Sequence, residues 1–192
     1  MDEVKRRMLV IDFFTSKAGH ALFKPTTLES IALQFRKILE LVAMASLVAN
    51  KHAYAKAYAD FARHWNAKFL LRDLKKINPD FYPVPFRELP PTKPGVVKDW
   101  EDLTSGHLTQ ADFVRLYDGC GGMLHARNPF GSPLKYEAFE NEIGSWHSKI
   151  VTLLNCHRVQ LLNGNLYVIH MKEEGHDDVR GYIFARHPMP LA

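Results

Sequence analysis

Apolar residues fall into helical spacing at Leu28, Ile31, Ala32, Phe35, Ile38, Leu39 and Val42, with Glu29, Gln34, Arg36, Lys37 and Glu40 between them. That pattern predicts a helix with one buried stripe. Thr26 and Glu29 stand at capping-box spacing and place its start at Thr26. Residues 43–62 are rich in alanine and carry Tyr54, Tyr58 and Phe61, which suits closely approaching helices with a break at Asn50. Trp65, Phe69, Leu70, Leu74 and Ile77 then keep helical spacing as far as Asn78-Pro79. The helix ends there, because proline disfavours helical geometry in the residue before it.

Two further helices come after it. One opens at Thr109, with Asp112 at its third position and Leu108 placed to staple against Phe113, and runs through Leu116, Tyr117, Cys120, Met123 and Leu124. Gly119, Gly121 and Gly122 interrupt it, each at a cost of about 1 kcal/mol relative to alanine. The other has Ser132 as cap and Pro133 in its first position, then Phe139, Ile143, Trp146, Ile150, Leu153 and Leu154 on one face.

After Leu154 the period changes. Residues 158–171 alternate around Asn163-Gly164, the signature of a two-residue type I′ hairpin. Such a turn pairs Leu161 with Leu166, Val159 with Val168 and His157 with His170, and makes Val159, Leu161, Leu166 and Val168 the core face. A polar turn over 173–178 leads to a third strand over 179–185. Six of the eleven prolines crowd residues 79–95 with Phe81, Tyr82 and Phe86, so 79–97 reads as an ordered extended segment laid over the helices. The expected fold is α+β, mainly α. A helical bundle spans 26–155, a small antiparallel hairpin or three-stranded meander spans 157–185, and both belong to a single domain, 1–192.

With 46% hydrophobic and 24% charged residues in 192, the composition is that of a folded globular chain. The net charge of +4 permits an anionic partner without requiring one. Two cysteines are too few for a disulfide framework. Lys5, Arg6 and Arg7 precede an apolar run from Met8 to Phe14, but Asp12 interrupts the run and no small-residue cleavage site comes after it. The apolar stretch 38–49 is too short for a membrane span. A cytoplasmic protein with no membrane partner is the expectation.

Candidate chemistry concentrates in residues 118–129. There a glycine-rich helix ends in His125, Arg127, Asn128 and Pro129, groups suited to acid/base work and to holding phosphate. The same residues also suit a polar helix terminus, with His125 and Arg127 capping carbonyls. The glycines match neither a phosphate-binding loop nor a dinucleotide fingerprint, and no cofactor is expected. Ten histidines invite a metal reading in which His157 and His170 join Cys120, Cys156 or His125. No paired-cysteine or His-Glu-x-x-His motif supports it, so no metal site is expected. Lys68, Arg72, Lys75 and Lys76 form a basic helical surface near Trp65, Tyr82 and Phe86, a combination that suits single-stranded RNA or DNA. Neither Cys120 with His125 nor Cys156 with His157 is spaced as a nucleophile and its base, and Glu137, Glu140 and Glu142 read as a solvated helix face.

Arg36-Lys37-Ile38-Leu39-Glu40 on the first long helix and Arg127-Asn128 at the end of a later one resemble the HEPN superfamily of helical bundles, over about residues 26–155. That superfamily includes RNA-cutting toxins and defence proteins, together with inactive nucleic-acid-binding or scaffold forms. Its nucleases carry an arginine, four to six residues and a histidine on a helix. Here that spacing occurs from Arg180 to His187, on the expected last strand and its exit, while His125 precedes Arg127. The resemblance therefore implies a non-catalytic binder. The reading is a self-associating, homodimeric interaction module with RNA or DNA as partner. The alternative is a ribonuclease-like or phosphate-handling enzyme, with His125 as acid/base, Arg127 on the phosphate and Asn128 beside it.

Overall fold

The computed structural model describes residues 1–16, 19–49, 66–126, 130, 136–172 and 177–185. Among these, five helices and five strands run in the order α1 (Asp2–Thr15), α2 (Lys24–Ala49), α3 (Ala67–Ile77), β1 (Val84–Leu89), β2 (Asp99–Asp102), α4 (Gln110–Leu124), α5 (Tyr136–Leu154), β3 (Cys156–Gln160), β4 (Leu166–His170) and β5 (Arg180–Phe184). The fold is α+β and mainly helical. No helix among the described residues is long and apolar enough to cross a membrane.

The predicted stripe of α2 is buried from Leu28 to Val42. Its start lies earlier than the capping-box spacing implies. The Thr26 hydroxyl donates back to the Phe23 carbonyl at 2.9 Å, inside the first turn, so it does not serve as the cap. α1 lies under the basic-then-apolar stretch at the start of the chain. It buries Val4 and Ile11 and is tied to α2 by Arg7 Nη1 donating to Gln34 Oε1 at 2.9 Å. Near the chain reversal after α1, Gly19 packs so tightly that a Cβ there would sit 1.8 Å from the Phe13 carbonyl oxygen. A backbone atom cannot swing aside as a side chain can. Gly19→Ala is therefore expected to destabilise the protein by about 2 kcal/mol or more, read as a lowered urea midpoint with unchanged slope.

α3 is capped by Asn66, whose side chain accepts from Lys68 N at 3.0 Å, and it ends at Asn78 as the next residue, a proline, requires. α4 has the full capping box. Asp112 N donates to Thr109 Oγ1 at 3.1 Å, and Thr109 N donates to Asp112 Oδ2 at 3.4 Å. Of its unusual glycines, Gly121 faces the Arg36 guanidinium, 3.2 Å from where a Cβ would lie, while Gly119 and Gly122 face open space. Arg36 joins α2 to α4 by lying 4.5 Å over the Tyr117 ring and donating to its hydroxyl at 3.0 Å. α5 buries all six residues of its predicted face. Tyr54, Tyr58, Phe61, Trp65, Ser132 and Pro133 lie outside the described residues.

The sheet is larger than the hairpin or meander expected, with antiparallel order β2-β1-β3-β4-β5. Its two extra strands come from the proline-rich segment and from residues 99–102 beyond it. Proline has no N–H for a ladder, which argues against an internal strand. β1 escapes that rule by changing partners at its proline. Val84 and Pro85 pair with β3, whereas Phe86 to Leu89 pair with β2.

The β3–β4 register also differs by one residue from the type I′ expectation. Gly164 adopts φ +83°, its N–H donates to Leu161 O at 3.0 Å, and Leu161 N donates to Asn165 O at 2.8 Å. These bonds enclose a three-residue loop ending in a left-handed glycine. Gln160 consequently pairs with Leu166, Val159 with Tyr167, Arg158 with Val168, His157 with Ile169 and Cys156 with His170. Because side chains alternate between faces, this shift parts Val159 from Leu166 and Val168 and puts His157 and His170 on opposite faces.

Candidate functional site: the curled face of the sheet

One face of the sheet, carrying His157, Val159, Tyr167 and Ile169, borders α2 across a cavity of about 600 Å³. The other carries Phe86 and Glu88 from β1, Trp100 from β2, Cys156 from β3, His170 from β4, and Tyr182 and Phe184 from β5. In a flat sheet β2 and β5 would stand four strand spacings apart, roughly 19 Å. The Trp100 and Phe184 ring centroids are 5.9 Å apart. The sheet therefore curls, because β1 leaves β3 after Pro85 and arches with β2 over β3–β5. Phe86, Val168 and His170 are buried in the trough, and Trp100, Tyr182 and Phe184 form its partly exposed rim.

The polar groups in this trough form a line. Cys156 Sγ lies 3.5 Å from His170 Nδ1, and His170 Nε2 lies 3.8 Å from Glu88 Oε1. The imidazole meets Phe86 edge-on at 5.9 Å and Tyr182 edge-on at 5.8 Å, which holds its plane from two sides. Glu88 is also ion-paired with Lys98, and Arg158 donates to both Asp102 oxygens, at 3.2 and 2.7 Å. The thiol and the carboxylate sit on opposite nitrogens of one ring, so they cannot converge on a common ion. No group of three His, Cys, Asp or Glu side chains among the described residues is arranged to hold a metal.

Of the residues singled out from sequence, the structure brings Cys156 and His170 together. His125 is the exposed C-cap of α4, whereas Arg127 and Asn128 lie outside the described residues. Lys68 pairs with Asp118 at 2.8 Å, and Arg72 and Lys76 both pair with Asp73, at 3.2 and 3.1 Å. The Arg72 guanidinium, with Lys76 adding to it, holds the Asp73 carboxyl below its ordinary value. Lys75 is exposed, and Tyr82 and Phe86 are buried, which leaves little of either ring open for stacking. Cys120 is enclosed in the bundle, where burial pushes its thiol up to about 12. The Cys156–His170–Glu88 line has no signature in sequence spacing. It becomes visible only with the correct hairpin register and the recruitment of β1.

A second buried group lies on the helix-facing side. His157 Nδ1 donates to the Leu154 carbonyl at 2.8 Å, its Nε2 has no hydrogen-bond partner among the described residues, and burial drives its pKa down to about 4. It is the neutral, Nδ1-protonated form that fits this setting. Compared with family models, curated proteins and solved structures, the chain finds no match.

Proposed function

We propose that this chain is a non-enzymatic interaction module that associates with a second copy of itself along β5. The contrast between the two edges of the sheet supports this reading most directly. β2 places Asp99, Glu101 and Asp102 around Trp100, a charged edge of the kind that discourages strand addition. β5 reads Arg180-Gly181-Tyr182-Ile183-Phe184, with Ile183 67% exposed, and among the described residues no strand lies beyond it. Two copies of β5 laid antiparallel about Tyr182 set Arg180 opposite Phe184 of the partner subunit, and Gly181 opposite Ile183 of the partner subunit. The first pair places a guanidinium beside a ring, and the second gives a large side chain room over glycine. A strand that complements itself in this way suits a two-fold dimer.

Sedimentation of the full chain over a range of concentrations tests the reading. The wild type is expected to dimerise, and Ile183→Lys, which places a charge on an already exposed edge, is expected to remain a folded monomer. A wild type that stays monomeric at every concentration overturns it. Labelled single-stranded RNA and DNA belong in the same experiment at two salt concentrations. Binding that is tight at low salt and falls steeply with added salt would move the function to nucleic acid, with Lys68, Arg72, Lys75 and Lys76 as first suspects. Cleavage that disappears in His125→Ala would move it to the ribonuclease reading built on His125, Arg127 and Asn128.

A further inference from the structure

The Cys156–His170–Glu88 line has the order of a nucleophile, a base and a group that orients the base. Glu88 at Nε2 favours the tautomer that carries its proton on that nitrogen, leaving the Nδ1 lone pair directed at the thiol. Phe86 and Tyr182 keep the ring in that plane. Cys156 is half-buried at the corner where β1 changes partners, so it is open in part to a small reagent while His170 stays covered. Cys120, fully enclosed in the helical bundle, supplies the opposite environment within one chain.

We propose that Cys156 is a reactive thiol that exchanges with low-molecular-weight disulfides, with His170 as its base and Glu88 as the positioning residue for His170. This proposal is independent of assembly along β5. The Cys156 proton passes to His170 Nδ1, and the thiolate sulfur attacks one sulfur of the small disulfide RS–SR. The original S–S bond breaks and a Cys156–S–S–R bond forms. The released RS⁻ takes the proton from His170 and leaves as RSH, so the thiol is oxidised and the leaving sulfur reduced, with no further oxidant. An imidazole beside a thiol raises the thiolate fraction near neutral pH, where a free cysteine is largely protonated. Among the described residues, the charged and titratable groups facing the pair are Glu88 with its partner Lys98, Arg180 and Tyr182 from β5, and Arg158 with Asp102 further along the same face.

Cystamine exchange with the native full chain, read by intact mass and then peptide mapping, tests this. One adduct is expected, on Cys156 and not on Cys120, forming at neutral pH about tenfold faster than on free cysteine. The advantage should shrink as the pH rises toward the ordinary thiol range, where free cysteine ionises too. His170→Asn should return the rate and its pH profile to those of free cysteine while the far-UV spectrum stays unchanged. Glu88→Gln, at a partly exposed position, should lose part of the acceleration without touching the core, and it keeps the proposal testable if His170→Asn folds poorly. The proposal fails if Cys156 reacts no faster than free cysteine at any pH. It fails equally if both variants, folded, react as fast as the wild type.

Discussion

Trp146→Ala is expected to lower the unfolding free energy by about 3–5 kcal/mol, the cost of removing a large aromatic side chain from a packed core. Trp146 is 2% exposed and is among the largest fully buried side chains. Its ring is held from more than one side. The Arg115 guanidinium of α4 lies 4.5 Å above it, Lys149 Nζ of its own helix lies 5.2 Å away, and the indole N–H donates to Glu142 Oε2 at 3.2 Å. Lys149 in turn pairs with Asp112, the third residue of α4 and partner of Thr109 in its capping box, at 2.9 Å, so the ring sits at the junction that fixes α4 against α5. A loss of this size is a fifth or more of the stability of an ordinary domain. Urea unfolding should show it as a lower midpoint at constant slope, and Trp146→Phe, which keeps most of the volume and the aromatic face, should recover more than half of it. A loss below about 1 kcal/mol for Trp146→Ala would mean that the site collapses onto the missing ring, contrary to its enclosed packing.

The helical part of the fold is legible in sequence because each long helix has one buried face, and that face leaves a period. Leu28 to Val42 and Phe139 to Leu154 are buried as their spacing requires. The capping box of α4 is legible for the same local reason, since Thr109 and Asp112 need only each other. α1 is not legible as a helix. Its cluster of cations ahead of apolar residues has the look of a leader, and two buried positions in fourteen residues give little periodicity.

The sheet is only half legible. The turn, the alternation and the third strand depend on nearby residues, and the structure has all three. Strand number depends on partners far along the chain, and register on which of two loops the turn adopts. Asn163-Gly164 fits both a two-residue turn and a three-residue loop with glycine at its end, and the two choices differ by one residue in pairing. That single step separates His157 from His170 and brings Cys156 to His170 instead. Prolines hide β1, since nothing local announces that a strand will switch neighbours at Pro85. The trough depends on both of these choices. The candidate site is therefore invisible in sequence, although Cys156 and His170 each stand out as chemically capable.

Stability should fall by on the order of 3 kcal/mol between pH 6.5 and pH 4 through His157 alone. Burial, the leading cause, lowers the folded-state pKa of this histidine from 6.5 to about 4, and the hydrogen bond to Leu154 O opposes it only in part. Above pH 6.5 the side chain is neutral in both folded and unfolded chains and contributes no pH dependence. Between 6.5 and about 4 the unfolded chain binds a proton that the folded chain refuses, so unfolding becomes easier as the pH falls. Below about 4 both states are protonated and this contribution is spent. The carboxylates act later. At Asp112, burial pushes the pKa up, but the Lys149 hydrogen bond and the Thr109 cap bring it below 3.8, so its stabilisation is lost only in stronger acid. Urea unfolding of wild type and His157→Asn at a series of pH values separates the two effects. An Asn amide can keep the donor to Leu154 O without titrating, so the variant's stability should stay nearly flat from 6.5 to 4 while the wild type slopes. Equal slopes in the two proteins would show that the folded chain protonates His157 as readily as the unfolded one, and the enclosed neutral imidazole beside the cavity would have to be abandoned.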